Sequence, residues 1–394
     1  MAACAPTIGA LLLLSALPST TAPPTAPAKD CFFLHGTGLD PDSAGAPTPT
    51  YEDYWGGVVG YTPGCRSHSF NHMNTITQPF DSPTLMSAVC KDLCGGSDPD
   101  RSAAGCVIKN KIIFTHSAGN LYLAAALRQG LCSLDTTSSD WYSIQAPALG
   151  SELCDKLASG CRNPSIFTKP LKAAVALFRY CTNSSRDSTE SPMYGSLATT
   201  YPALVDGGIK DVMMDYVSGS MCGDHPYGVK CNKLLLNASS DVLNASSTSG
   251  HSCLLEDAGL LALSKFGFGS DVVSDAMVAL DSCKLSLTRR GGKPTPTQYT
   301  NDYHSPWYIM HGNHEDGTCA NGNGGPTAGD AQPMVARTEP YASVNATSRA
   351  STAQGGELRV DLCAKNTECH PCSWYGKMVQ RSLHRTVDLA THNT

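Results

Sequence analysis

The chain has 394 residues, 41% of them hydrophobic and 16% charged, with eighteen cysteines and a formal net charge of −6. That is enough apolar material for one large domain, or for one domain carrying an inserted subdomain. The acidic balance and the lack of any Lys/Arg-rich run set nucleic acid aside as a partner.

Residues 1–28 read as an export signal and flexible lead-in. Ile8 to Leu17 (IGALLLLSAL) has the length of a signal-peptide core and is too short for a bilayer span. The Pro/Thr/Ala-rich piece PSTTAPPTAPAK after it can bury little apolar surface. Cysteine usage agrees with export, because many cysteines spread along a chain point to disulfides in an oxidising compartment. With Cys4 in the leader the remainder is odd, so one thiol is expected to be free or paired between chains. Asn183, Asn237, Asn244 and Asn345 each head a proline-free N-x-[ST] sequon, and some glycosylation is expected. No later stretch of 18 apolar residues exists and RTVDLATHNT is not a hydrophobic tail, so no transmembrane span is expected.

Residues 29–150 read as the first part of an α/β core. Cys31 to Leu34, Lys111 to Phe114 and Trp141 to Ile144 are short apolar runs bounded by Gly or Pro, as buried parallel strands are. Ala118 to Gln129, rich in Ala and Leu and stopped by Gly130, reads as a helix between the second and third. Strand, helix, strand in that order implies a right-handed parallel βαβ unit. Residues 151–255 alternate amphipathic stretches with polar loops and read as an inserted, mostly helical cap. Residues 256–325 return to the core, with Trp307 to Met310 as its last strand, and 326–394 form a Cys-containing extension.

The chemistry gathers at strand ends. Ile112-Ile113-Phe114 stops at Thr115-His116-Ser117-Ala118-Gly119, and a helix begins at once. A nucleophile on such a turn projects its oxygen clear of the backbone, while the following N–H groups present the positive end of the helix dipole. Small residues are needed there, and Ala118 and Gly119 supply them; Thr115 replaces the first glycine of G-x-S-x-G. A plain Ser helix cap fits the same pentapeptide. Upstream, Phe32 to Gly38 (FFLHGTG) ends a strand in H-G-x-G, so the N–H of Thr37, with that of Ala118, is expected to form an oxyanion hole. Downstream, GSDVVSDAMVALDSC and YIMHGNHEDGTCANG offer an acid and then a histidine. That is the chain order of serine hydrolases in which imidazole takes the serine proton and a carboxylate fixes the imidazole.

On these residues, together with Tyr54-Trp55-Gly56-Gly57, Ala146 to Ser151, Ser274 to Val278 and Asn313 to Gly317, the chain resembles secreted α/β-hydrolases of the lipase/esterase type, close to a group from protists. The resemblance spans roughly residues 31 to 325, is patchy through the cap and is absent in the tail. It implies an α/β fold, a mostly parallel sheet flanked by helices, with Ser117 as nucleophile, Asp275 as acid and His314 as base. Where the family's acid loop reads D-G-x-V-P, this chain has Asp275-Ala276-Met277-Val278-Ala279. Asp271 and Asp281 are rivals for the acid, and His304 and His311 for the base. His116 is expected to point away from Ser117.

Cys283 and Cys319, which follow the acid and the histidine, suggest a disulfide tying the two loops together, with separate partners as the alternative. Cys363, Cys369, His370 and Cys372 read as bridges rather than a zinc site, and Asp316 to Gly325 is a weak calcium pattern, so no metal is expected. The expected activity is hydrolysis of a small-molecule or lipid ester through an acyl-enzyme, with no cofactor and with transient contact to a lipid interface left open. Thr115 and the altered acid loop keep open an inert binding or surface protein on the same fold, and acyl transfer to another alcohol would use the same motifs.

Overall fold

All four apolar runs are strands in the computed structural model, which describes residues 29–38, 45–95, 105–182, 189–226, 251–269, 272–285, 298–320 and 370–391. The leader 1–28, the four sequon asparagines, Asp271, Cys363 and Cys369 lie outside the described residues.

The strands are β1 (Asp30–Leu34), β2 (Gly45–Thr48), β3 (Ser67–His72), β4 (Cys106–Ile108), β5 (Lys111–His116), β6 (Cys132–Leu134), β7 (Asp140–Ile144), β8 (Val217–Gly223) and β9 (Trp307–Met310). The first helices are α1 (Glu52–Trp55), α2 (Val58–Tyr61), α3 (Pro83–Leu93) and α4 (Gly119–Arg128). Between β7 and β8 come α5 (Glu152–Arg162), α6 (Lys169–Leu177), α7 (Pro192–Ser196), α8 (Pro202–Val205) and α9 (Gly208–Tyr216). Then follow α10 (His251–Gly267), α11 (Leu280–Cys283) and α12 (Pro371–Thr391).

Seven strands form one sheet in the order β2-β3-β1-β5-β7-β8-β9, parallel except for the β2–β3 pair. β4 and β6 make a small parallel sheet of their own. Period-two alternation divides the core. On β1, Phe32 and Leu34 face one apolar cluster while Cys31 and Phe33 face the other; on β5, Ile113 opposes Ile112 and Phe114 in the same way. The first cluster is covered by α3, α4, α9 and the helices after β7, the second by α1, α2 and α12. In register, Leu34 pairs with Thr115, and His116 with Ile144, so β1, β5 and β7 end level with one another. The loops that follow them therefore meet at one edge, the carboxyl edge where α/β sheets bind ligands.

Two boundaries differ from the sequence reading. The segment 151–255 contains β8, a strand of the main sheet between β7 and β9, so the helical insert lies between β7 and β8. Val217 to Gly223 (VSGSMCG) has no apolar run to announce a strand, yet it is buried on both faces. Nor is the segment 326–394 simply an appendage. Trp374 and Tyr375 of α12 are fully buried against the sheet; Tyr375 Oη donates to the Gly317 carbonyl at 2.5 Å and Trp374 Nε1 to that of Ser305 at 3.0 Å.

Among the described residues six disulfides link Cys31–Cys65, Cys90–Cys132, Cys94–Cys106, Cys161–Cys181, Cys222–Cys283 and Cys319–Cys372. The expected Cys283–Cys319 bridge is thus corrected: each loop is anchored separately, the acid loop to β8 and the histidine loop to α12. Sequence order hid this, because both partners, Cys222 and Cys372, are distant in the chain. Among the described residues Cys154 is the one free thiol, buried. So many bridges fit an oxidising compartment, and no helix among the described residues is long and apolar enough to cross a membrane.

Candidate active site

Ser117 follows β5 directly and takes a left-handed backbone, φ 53°, which is costly for a residue with a side chain. Neighbouring hydrogen bonds hold it there. Asn120 Nδ2 donates to the carbonyls of Thr115, Ser117 and Ile144 at 3.0–3.1 Å, and the Ser117 N–H donates to the Ile144 carbonyl at 2.9 Å. Two glycines give the turn its room. A Cβ on Gly119 would lie 2.7 Å from the His35 carbonyl oxygen, and one on Gly36 would lie 2.6 Å from Ser117 Cβ. Thr115 is tolerated where a glycine was expected because its side chain has buried partners: Trp141 Nε1 donates to its Oγ1 at 2.7 Å, and that Oγ1 bonds Asn120 Oδ1.

Asp275 and His314 meet at the same edge. His314 Nδ1 donates to Asp275 Oδ2 at 2.8 Å, and the His314 N–H to the Asp275 carbonyl at 2.9 Å. Asp275 Oδ1 accepts the N–H groups of Met277 and Val278 at 3.0 and 2.8 Å. The carboxylate thus has three donors while being only 1% exposed, which a buried charge requires. His314 Nε2 is buried without a hydrogen-bond partner, and His314 lines the same cavity as Ser117. The rivals sit elsewhere. Asp281 is exposed, His304 is a surface residue paired with Asp302, and His311 Nδ1 lies 2.8 Å from Asp224 Oδ1.

Beyond β1, the Gly36 N–H donates to Tyr54 Oη at 2.7 Å and the Gly38 N–H to Thr75 Oγ1 at 3.0 Å. Between them, the Thr37 N–H has no acceptor among the described residues, and the same holds for the Ala118 N–H. Thr37 lines the cavity with Ser117.

His116 lines the same cavity and belongs to a buried chain of hydrogen bonds. Its Nε2 bonds the His314 carbonyl at 3.0 Å and Gln145 Oε1 at 3.1 Å, and both partners are acceptors, so Nε2 carries the proton. Nδ1 then accepts from Tyr54 Oη at 2.6 Å. Burial, with His314 close by, holds its pKa well below the usual histidine value, in keeping with a neutral ring. Gln145 Nε2 also donates to the Asn313 carbonyl, at 2.8 Å. The H-G-T-G loop, the serine turn and the histidine loop are thus joined through Tyr54, His116 and Gln145.

The sequence reading gave no role to Asn120, Tyr54 or Gln145. Tyr54 carried part of the resemblance, and Asn120 lies three residues after the serine, so their positions were visible though their bonds were not. Gln145 takes φ 48° at the end of β7, a feature with no sequence signature. Asp316, in the segment read as a weak calcium pattern, is buried, and its Oδ2 accepts the Asn313 N–H at 3.0 Å. Among the described residues no cluster of three His, Cys, Asp or Glu is arranged to hold a metal.

No protein-family model and no curated protein matches this chain. Solved structures resemble it at low identity. A mature lipase from Bacillus licheniformis, BlEst2, shares 12% identity at a TM-score of 0.39, covering 76% of this chain and 89% of its own. EstA from Clostridium botulinum shares 10% at 0.38, covering 76% and 85%. Lipase 1 from Pelosinus fermentans shares 12% at 0.33, covering 73% and 93%. The reading of activity rests on the site itself.

Proposed function

We propose that this protein is a secreted serine hydrolase that cleaves carboxylic esters. One observation carries the reading: His314 Nε2, buried and unpartnered, shares a cavity with Ser117 while its Nδ1 is held by Asp275 at 2.8 Å. Serine is a weak nucleophile until a base takes its proton, and an imidazole oriented by a carboxylate is the group that does so. Ser117 Oγ attacks the ester carbonyl as its proton passes to His314 Nε2. The carbonyl oxygen takes up the negative charge and accepts the Thr37 and Ala118 N–H groups, each worth roughly 3 kcal/mol in such sites. His314 returns the proton to the leaving alcohol, and water activated by the same ring then releases the acid from Ser117. Asp275 holds the ring and steadies the imidazolium.

A fluorophosphonate probe tests this directly. Covalent labelling is expected at Ser117, located by peptide mapping, and lost in Ser117→Ala. An unlabelled protein that turns over no nitrophenyl ester is an inert scaffold, and the reading fails.

A further inference from the structure

The cavity walls carry information about the ester. Because the leaving alcohol takes its proton from His314, it lies on the side of the histidine loop, which supplies Glu315 and Thr318 to the lining. The acyl part is then left to the wall made by Cys154, Phe178, Tyr180, Tyr194 and Leu197 of the helical insert.

That wall is fastened by a disulfide and by hydrogen bonds. The Cys161–Cys181 disulfide ties α5 to the segment after α6. The Ser191 N–H donates to the Tyr180 carbonyl at 2.7 Å, and Tyr194 Oη to the Phe178 carbonyl at 3.0 Å. The Tyr180 and Tyr194 rings pack with centroids 4.0 Å apart. The cavity measures about 120 Å³. An apolar cavity of ~150 Å³ holds one benzene molecule, and pockets for drug-sized ligands run to roughly 300–1,000 Å³. The space beside Ser117 is thus of the size of a short acyl group.

A second observation concerns polarity. Tyr180 is 1% exposed, and its buried hydroxyl has no hydrogen-bond partner. Buried hydroxyls are nearly always paired, and this one belongs to a residue that lines the cavity, so an oxygen brought in by a ligand would satisfy it. Burial also drives its pKa well above the usual tyrosine value, which keeps the proton on the oxygen as a donor.

We infer that the cavity takes the acyl part of a small ester, no bulkier than one benzene ring and bearing an oxygen to which the Tyr180 hydroxyl donates. Esters of short alkoxy, hydroxy or keto acids are that class. The inference rests on the serine-hydrolase reading of Ser117, and its test separates the two.

The test uses the full-length protein, with active sites counted by the fluorophosphonate probe and kcat/KM measured on nitrophenyl butyrate, methoxyacetate and octanoate. Octanoate is expected to fall about 100-fold or more below butyrate. The methoxyacetate-to-butyrate ratio is expected to drop about tenfold in Tyr180→Phe, a comparison in which the esters' own reactivities cancel. Leu197→Ala, which enlarges the wall, should raise octanoate relative to butyrate. Octanoate turned over as well as butyrate, or a methoxyacetate ratio unmoved by Tyr180→Phe, overturns the inference while probe labelling leaves the hydrolase reading standing. A protein that neither labels nor hydrolyses any of the three esters sinks both.

Discussion

Of the residues with side chains that take left-handed backbone around this site, Ser117 on the serine turn, with φ 53°, and Ala276 on the acid loop, with φ 83°, make the clearest contrast. The surroundings differ. At Ser117 the conformation itself presents the hydroxyl, and Asn120 secures it with three hydrogen bonds. At Ala276 nothing functional depends on the methyl group. The neighbouring Asp275 carboxylate is placed by the Met277 and Val278 N–H groups, and the loop is anchored by Cys222–Cys283. Strain at the first position falls on a residue that lines the cavity, whereas at the second it is a local cost that the rest of the loop absorbs. It also explains why glycine is the residue expected after the acid: this position needs the left-handed region, which glycine enters without penalty.

That contrast can be pressed in order of expected effect. Ser117→Ala should lower kcat for a nitrophenyl ester by about 10³–10⁶ with the fold intact by circular dichroism. Asp275→Asn keeps the shape of the loop but loses the carboxylate that orients His314, and should cost about 10³–10⁴ in kcat. A smaller effect, on stability, comes from His35 beside the serine turn, whose pKa burial lowers from 6.5 to about 4. The unfolded chain binds a proton on this ring where the native chain does not, so stability is full above about pH 6.5 and is lost as pH falls towards 4, by roughly 3 kcal/mol. Urea unfolding at pH 7 and pH 4.5 should show that loss, and a smaller one in His35→Gln.

Asn120→Ala strips the serine turn of its fastening. It should cost roughly 1–3 kcal/mol in urea unfolding and lower kcat more than it raises KM. The smallest effect is expected at the acid loop. Ala276→Gly relieves the left-handed strain but gives up a buried methyl worth about 0.8 kcal/mol, so thermal unfolding should shift by no more than a degree or two and kcat should hold. A large loss of kcat there would show that the two strained positions are alike after all.

Much of the catalytic edge was legible because it depends on local sequence. Four apolar runs announced β1, β5, β7 and β9, and the helix after Ser117 announced α4. Ser117, Asp275 and His314 lie at one edge because parallel strands deliver their following loops to the same side. β8 was not legible, since its serines and glycines carry no hydrophobic signal, and its burial comes from the strands on either side. The disulfide partners were not legible either, because pairing is decided by three-dimensional proximity. Nor was the Tyr54–His116–Gln145 chain, in which each bond joins residues far apart in sequence.

The placement of α12 has a consequence for biosynthesis. A nascent chain that has emerged as far as Cys319 already contains Ser117, Asp275 and His314, yet one side of its sheet is still bare of Trp374 and Tyr375, and Cys372, the partner of Cys319, has not been made. A helix made some fifty residues after the histidine loop is therefore the clasp that fastens it, through Cys319–Cys372 and the Tyr375 hydroxyl. Until it arrives, the histidine loop has neither its disulfide nor its tyrosine hydrogen bond to hold it against the sheet.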